Sequence, residues 1–232
     1  MLKSIASFLS IIALLSTQTL SAQSTANQTI AALYSKMQKI KDYSVDAVVK
    51  ADIPMIKIDA VNATIYFKQK DKLKVISKGI AILPKQGFSD VSKIIRDPTS
   101  FAATTQGKEL VQNYQTDVLN VIPTIDTGDV VLAKLWIEPT KSLILKSTIT
   151  SKTNGPVTVE YFYGSQIAFG LPDNMIFTVG VKKFKIPKGV ATDIQKNSRP
   201  AQDDAKEPKV GKIYITLANY SINKGVKDEV FK

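Results

Sequence analysis

The chain has 232 residues, 44% of them hydrophobic, a formal charge of +11, and neither cysteine nor histidine. Those two absences exclude Ser-His-Asp and Cys-His nucleophilic machinery, His-rich zinc sites, thiol redox chemistry and disulfides, so a hydrophobic core must carry the stability. The charge does not point to nucleic acid: of 31 basic residues only Arg96 and Arg199 are arginine, and no helical stretch gathers the lysines on one face.

Residues 1–22 open with Lys3, run through apolar Ile5 to Leu15, and end in Leu20-Ser21-Ala22. A positive start, a short apolar run and a small residue before a cut predict a secretory signal peptide, removed on export to the periplasm. The run falls short of the ~20 apolar residues that a spanning helix needs, and the exported product is expected to be soluble. It has no cysteine to carry a lipid anchor.

Within Thr29 to Lys41, Ile30, Leu33, Met37 and Ile40 recur at helical spacing, which predicts one amphipathic helix. The period then changes to two. In Tyr43 to Asp52 the odd positions are apolar and the even ones almost all polar, as in a strand with one buried and one wet face. Ile56 to Phe67 and Leu73 to Lys78 flank the polar turn Gln69-Lys70-Asp71-Lys72 and predict an antiparallel hairpin.

Further strands are predicted at Asp117 to Ile122, Val130 to Glu138, Leu143 to Lys152, Val157 to Tyr163, Met175 to Ile186 and Lys212 to Tyr220. Glu138-Pro139-Thr140-Lys141, Thr153-Asn154-Gly155-Pro156 and Gly170 to Asn174 are turn chemistry between them. The fold class is therefore mainly β within an α+β plan, an antiparallel meander bent into a sandwich or an open barrel. Gly87 to Arg96 interrupts it with Phe88, Val91, Ile94 and Ile95 on one helical face, behind the run Ile80 to Pro84 and ahead of Pro98. Gln195 to Lys209 is polar and proline-punctuated, and is expected to be a flexible loop before the last strand.

No Gly-rich phosphate loop and no metal cluster is present, so no cofactor and no metal are expected. The remaining catalytic option is a carboxylate pair. Asp46, Asp52, Asp59 and Glu160 alternate with apolar neighbours in the manner of outward-facing sheet charges, and nothing pairs them into a glycosidase-like site beside the aromatics Trp136, Tyr161, Phe162 and Tyr163. The expectation is a protein that is not an enzyme.

The helix leading into Tyr43-Ser44-Val45-Asp46-Ala47, the hairpin Tyr66 to Val75, and Phe184 to Val190 followed by Ala191-Thr192-Asp193 together resemble the outer-membrane lipoprotein carriers. This group comprises the LolA/LolB-like proteins and their broader relatives in lipoprotein sorting, and the resemblance spans roughly residues 28 to 194. It implies a strongly curved antiparallel sheet, an incomplete barrel, whose concave face is covered by the N-terminal helix and a short lid helix. On that plan 1–22 is signal, 23–194 the half-barrel domain, 195–209 the polar loop, and 210–232 a C-terminal strand and tail, the strand capping a sheet edge or adding to it.

The resemblance further implies that lipoprotein acyl chains or another lipid sit between sheet and helices. The lid would carry Phe88, Val91, Ile94 and Ile95, with Ile80 and Ile82 just before it, over Val45, Ala47, Val49, Leu73 and Val75. The other reading of the same apolar stripe is a filled core. Implied partners are a membrane-bound donor and acceptor, with the chain a monomer. The sequence departs from the group at Gln69-Lys70, where carriers commonly have Arg-Pro. The arginine credited with latching the lid is missing, and Lys70 lacks its planar fork. An alternative of another class is a non-enzymatic periplasmic sensor or scaffold of the same fold that binds a protein partner.

Overall fold

A computed structural model describes residues 25–54, 56–57, 59–70, 72–77, 91, 95–96, 100–124, 129–153, 155–180 and 210–232, the side chains of 56–57 excepted. The expected signal peptide, the Gln195 to Lys209 loop, the end of the expected Met175 to Ile186 strand, and Ile80, Ile82, Phe88 and Ile94 lie outside the described residues.

Helix α1 spans residues 25–37. It begins four residues before the predicted start and stops at Met37, because the stripe that faces the sheet is Ala26, Ile30, Leu33 and Met37, a 3.6-residue repeat. Ile40 is buried beyond the helix, in a tightened last turn where its N–H reaches the Met37 carbonyl at 3.1 Å.

The strands are β1 (Asp42–Ile53), β2 (Ile56–Lys57), β3 (Val61–Lys68), β4 (Lys72–Ser77), β5 (Phe101–Val111), β6 (Tyr114–Pro123), β7 (Val130–Glu138), β8 (Leu143–Ser151), β9 (Gly155–Phe162), β10 (Asn174–Gly180) and β11 (Val210–Ile222). They form one antiparallel sheet in the order β4-β3-β1-β11-β10-β9-β8-β7-β6-β5, with β2 paired to β1. From β6 onward every strand pairs with its predecessor. The one long crossover runs from β4 to β5, the two outer strands, and among the described residues nothing pairs them. The sheet is an incomplete barrel.

Period two decides the inner face. On β1 the side chains Val45, Ala47, Val49, Ala51 and Ile53 are buried, and β10 and β11 repeat the pattern with Met175, Phe177 and Val179, and with Ile213, Ile215 and Leu217. Bulges bend the sheet on β1 between Ser44 and Asp46, on β5 between Thr105 and Lys108, and twice on β7. At the β5 bulge Gly107 takes φ +100, a conformation costly for any residue with a Cβ.

Two expectations are corrected, and one strand is added that no expectation covered. The single run Ile56 to Phe67 is two strands, interrupted at Asp59 and Ala60. β5 is a strand despite the polar stretch Thr104 to Glu109, because β6 supplies its ladder. The last strand neither caps nor extends an edge: β11 lies inside the sheet, paired along its length with β1 on one side and β10 on the other. Its alternation of buried Gly211, Ile213, Ile215 and Leu217 with exposed residues supplies one apolar face to the interior, as each neighbour does.

Two packed clusters fill the concave side. One joins the inner faces of β1, β3, β9, β10 and β11 around Ile65, Phe177 and Ile213. The other joins α1, Val91 and Ile95 to the inner faces of β5 to β8. Between them the described side chains leave a space.

Candidate functional site

A cavity of about 380 Å³ opens where the two clusters meet. The C-terminal half of α1 forms its roof with Leu33, Lys36, Met37 and the following Ile40. The sheet forms its floor with Tyr43 and Val45 of β1, Phe67 of β3, Leu73 of β4, Met175 of β10 and Leu217 of β11. Val91 and Arg96 close one side. Ser142, Ile144, Tyr161 and the turn that follows the short 3-10 segment Ile167–Phe169 complete the lining. The wall is mostly apolar.

Period two explains why these side chains meet. Tyr43 is in phase with Val45 and the buried residues of β1, and Tyr161 with Val157 and Val159 of β9. The aromatic rings stack into the floor, Tyr43 on Phe67 with centroids 5.1 Å apart and edge-on to Tyr220 at 5.8 Å. Polar tips are satisfied at the margin: the Tyr220 hydroxyl donates to the Pro172 carbonyl at 2.7 Å, and Tyr161 shares a 3.1 Å hydrogen bond with Ser147. Burial raises the pKa of Tyr43, Tyr161 and Tyr220, for Tyr161 to about 12 although its bond to Ser147 opposes the rise.

Lys36 is the cation on the helix roof. Its stem lies over Gly170, where a built Cβ would stand 3.4 Å from Lys36 Cδ and Cε, and its ammonium donates to the Lys141 carbonyl at 2.7 Å. Burial lowers its pKa first, and the charges of Lys39 and Lys141 push the same way against the opposing pull of Glu138. Gly170 has φ +68 and ends the 3-10 segment in the left-handed region.

An adjoining pocket of about 290 Å³ shares Met37, Ile40, Phe67 and Arg96 and adds Gln38, Gln69 and Lys70. Here the departure at Gln69-Lys70 acquires a structural role. The Gln69 amide donates to the carbonyls of Gln38 at 3.3 Å and Ile40 at 3.0 Å, while the Asn223 amide donates to that of Lys39 at 2.9 Å. Carbonyls that the end of a helix leaves without intrahelical partners are thereby satisfied. The β3–β4 turn is tied to the α1 end by a neutral side chain, and Lys70 occupies the turn position with φ 68.

Of the residues expected to line an acyl site, Val45, Leu73 and Val91 border the cavity. Ala47 and Val49 lie farther along β1 within the sheet cluster, with Val75 packed against it, and Ile95 is fully buried under α1. Lys36, Tyr43, Tyr161 and Arg96 also border the cavity and were not among the residues expected to line it. For the two tyrosines the signal was available, since each continues a buried alternation. For Lys36 it was fainter, a polar residue beside Leu33 and Met37 at the edge of the helical stripe. Among the described residues no group of three or more acidic side chains could hold a metal ion, and no helix is long and apolar enough to cross a membrane.

No family model matches the chain, and no curated protein matches it. Solved structures do. A DUF1329 family protein from Desulfovibrio piger superposes with a TM-score of 0.60 at 13% identity, covering 91% of this chain and 97% of that one. A putative outer membrane lipoprotein-sorting protein domain from Vibrio parahaemolyticus gives 0.62 at 8% identity over 90% and 97%. A LolA superfamily protein from Nitrosomonas europaea gives 0.55 at 11% identity over 87% and 96%. The likeness is one of fold alone: the chain has a LolA-like fold.

Proposed function

We propose that this chain is a non-enzymatic periplasmic carrier that holds an acyl chain of a lipoprotein or another lipid between α1 and the curved sheet. The observation that carries the reading is the unfilled, mostly apolar space of about 380 Å³ under the α1 end. That volume falls in the range of ~300–1,000 Å³ typical of ligand pockets. A filled interior would favour a scaffold instead. Each methylene moved from water into such a site contributes about 0.8 kcal/mol, so ten contribute about 8 kcal/mol before the cost of ordering the chain.

In this reading Val45, Leu73 and Val91 touch the acyl chain. Ala47, Val49, Val75 and Ile95 hold the walls, Phe88 and Ile94 belong to the expected lid, and Ile80 and Ile82 to the run before it. Export rests on residues 1–22, and donor and acceptor membrane proteins complete the cycle. The test is native mass spectrometry of the chain purified without detergent, before and after incubation with a synthetic diacylated lipopeptide. A bound acylated mass that disappears on denaturation is expected; an empty protein that takes up neither that lipopeptide nor a phospholipid refutes the carrier reading.

A further inference from the structure

We propose that the cavity takes an amphiphile with a negatively charged head, phosphate or carboxylate, gripped at the rim by Lys36 and Arg96. This deepens the carrier reading and rests on it. Among the described residues that line the cavity and its adjoining pocket, the charged side chains are Lys36, Lys70 and Arg96, without one carboxylate.

Lys36 is placed for the task. Its stem is fixed against Gly170 and its ammonium makes one bond, to the Lys141 carbonyl, which leaves two of its three donors for a ligand. The nearby acid, Glu138, has both carboxylate oxygens occupied by the backbone N–H groups of Thr140 and Lys141, at 3.0 and 2.7 Å. Two cations, Lys39 and Lys141, stand near Lys36 against one acid, Glu138, so an anion at this apolar wall adds the opposite charge that the site has least of.

Arg96 borders both compartments, and its planar fork suits phosphate and carboxylate oxygens. The hydroxyls of Tyr161 and Tyr220 on the cavity wall are engaged within the protein; those of Tyr43 and Ser142 also border it, but among its described lining residues only Lys36 and Arg96 carry the charge that matches an anionic head. Acyl chains enter the apolar floor while the head stays at the rim.

The experiment compares three amphiphiles of one chain length: dodecyl phosphate, dodecanoate and neutral dodecyl maltoside. Each is titrated below its micellar concentration into delipidated full chain by calorimetry. The anionic pair should bind at least about tenfold more tightly than the neutral one, the increment of one charge-assisted contact. Lys36→Gln should shrink that ratio several-fold without weakening dodecyl maltoside, and Lys36→Arg should keep it; thermal melts confirm that each variant is folded.

Tighter dodecyl phosphate assigns the head to a lipid phosphate, and tighter dodecanoate to a free fatty acid. Equal binding of all three overturns the charged-head proposal and leaves the carrier reading intact. Binding of none overturns both. An anionic preference that survives both Lys36→Gln and Arg96→Gln also overturns it.

Discussion

Replacing Gln69 by alanine removes the two donors that tie the β3–β4 turn to the end of α1. The bond to Gln38 is long, 3.3 Å, and exposed, so water substitutes for it at little cost. The bond to Ile40, 3.0 Å and part-buried, is the costly one, because the carbonyl is left without its partner under the helix end. A lost hydrogen bond of this kind costs about 1–2 kcal/mol. For a domain of this size each kcal/mol lowers Tm by roughly 2–4 °C, so a drop of about 2–8 °C is expected. Calorimetric melts of ligand-free protein at neutral pH provide the measurement. Gln69→Glu, which offers only acceptors to two carbonyls, should fall at least as far, and Gln69→Arg, which keeps donors, less. An alanine variant within 1 °C of wild type, or a glutamate variant that matches wild type, refutes the claim that this side chain fastens the roof of the cavity.

Gly170→Ala should lower the urea midpoint with an unchanged m value, by about 1–2 kcal/mol for an L-residue held in the left-handed region, and Gly170→Asn should cost less; equal stability of the alanine variant would show that the turn does not need that φ. Trp136, the only tryptophan, donates to the Glu109 carboxylate at 2.6 Å between Lys134 and Lys146, each 4.6 Å from its ring. The hydrogen bonds from Trp136 and then Lys134 hold the Glu109 pKa below its ordinary value. Its contribution is therefore present above the unfolded pKa and lost as pH falls through the folded one. Tryptophan fluorescence should titrate with a midpoint below the ordinary glutamate value and stop doing so in Glu109→Gln; a midpoint at the ordinary value contradicts this. Burial raises Tyr43, Tyr161, Tyr163 and Tyr220, so their stability contribution is complete below the unfolded phenol pKa of ~10 and declines as pH climbs from there toward the folded values. In an alkaline absorbance titration these four should ionise together with loss of the far-ultraviolet CD signal, and ionisation of all eight tyrosines near pH 10 in a native fold would rule that out.

What local pattern could reveal, it did. α1, β1 and the strands from β7 to β10 announce themselves by periods of 3.6 and 2, because each buries a single face. β5 escaped notice since Thr104 to Glu109 is polar on both faces, and its strand state comes from pairing with β6 and from the Gly107 bulge. The place of β11 could not be read locally at all: Val48 and Thr216 are partners across 168 positions, and nothing in either segment names the other. Gln69 is a similar case. Its turn is evident from composition, yet its amide acts on Gln38 and Ile40, 31 and 29 residues earlier, through a contact that only the assembled fold creates.

The cavity follows from this topology more than from any one residue. Ten hydrogen-bonded strands at ~4.8 Å make a ribbon about 45 Å wide, whereas a helix of 13 residues is about 20 Å long and 10 Å across. One helix cannot cover such an inner face. On the β5 to β8 half the cover is α1 with Val91 and Ile95; on the other half the sheet curls so that β1, β3, β9, β10 and β11 pack on themselves. The seam between the two solutions lies beneath Leu33 and Met37 and above Val45 and Met175, and there the described side chains do not meet. A wide one-sided sheet that α1 covers only in part thus leaves space between the described side chains. Which side chains border that space depends on where β11 enters the sheet. That is why fold class was legible while Lys36, Tyr43 and Arg96 came forward only once the strands were in order.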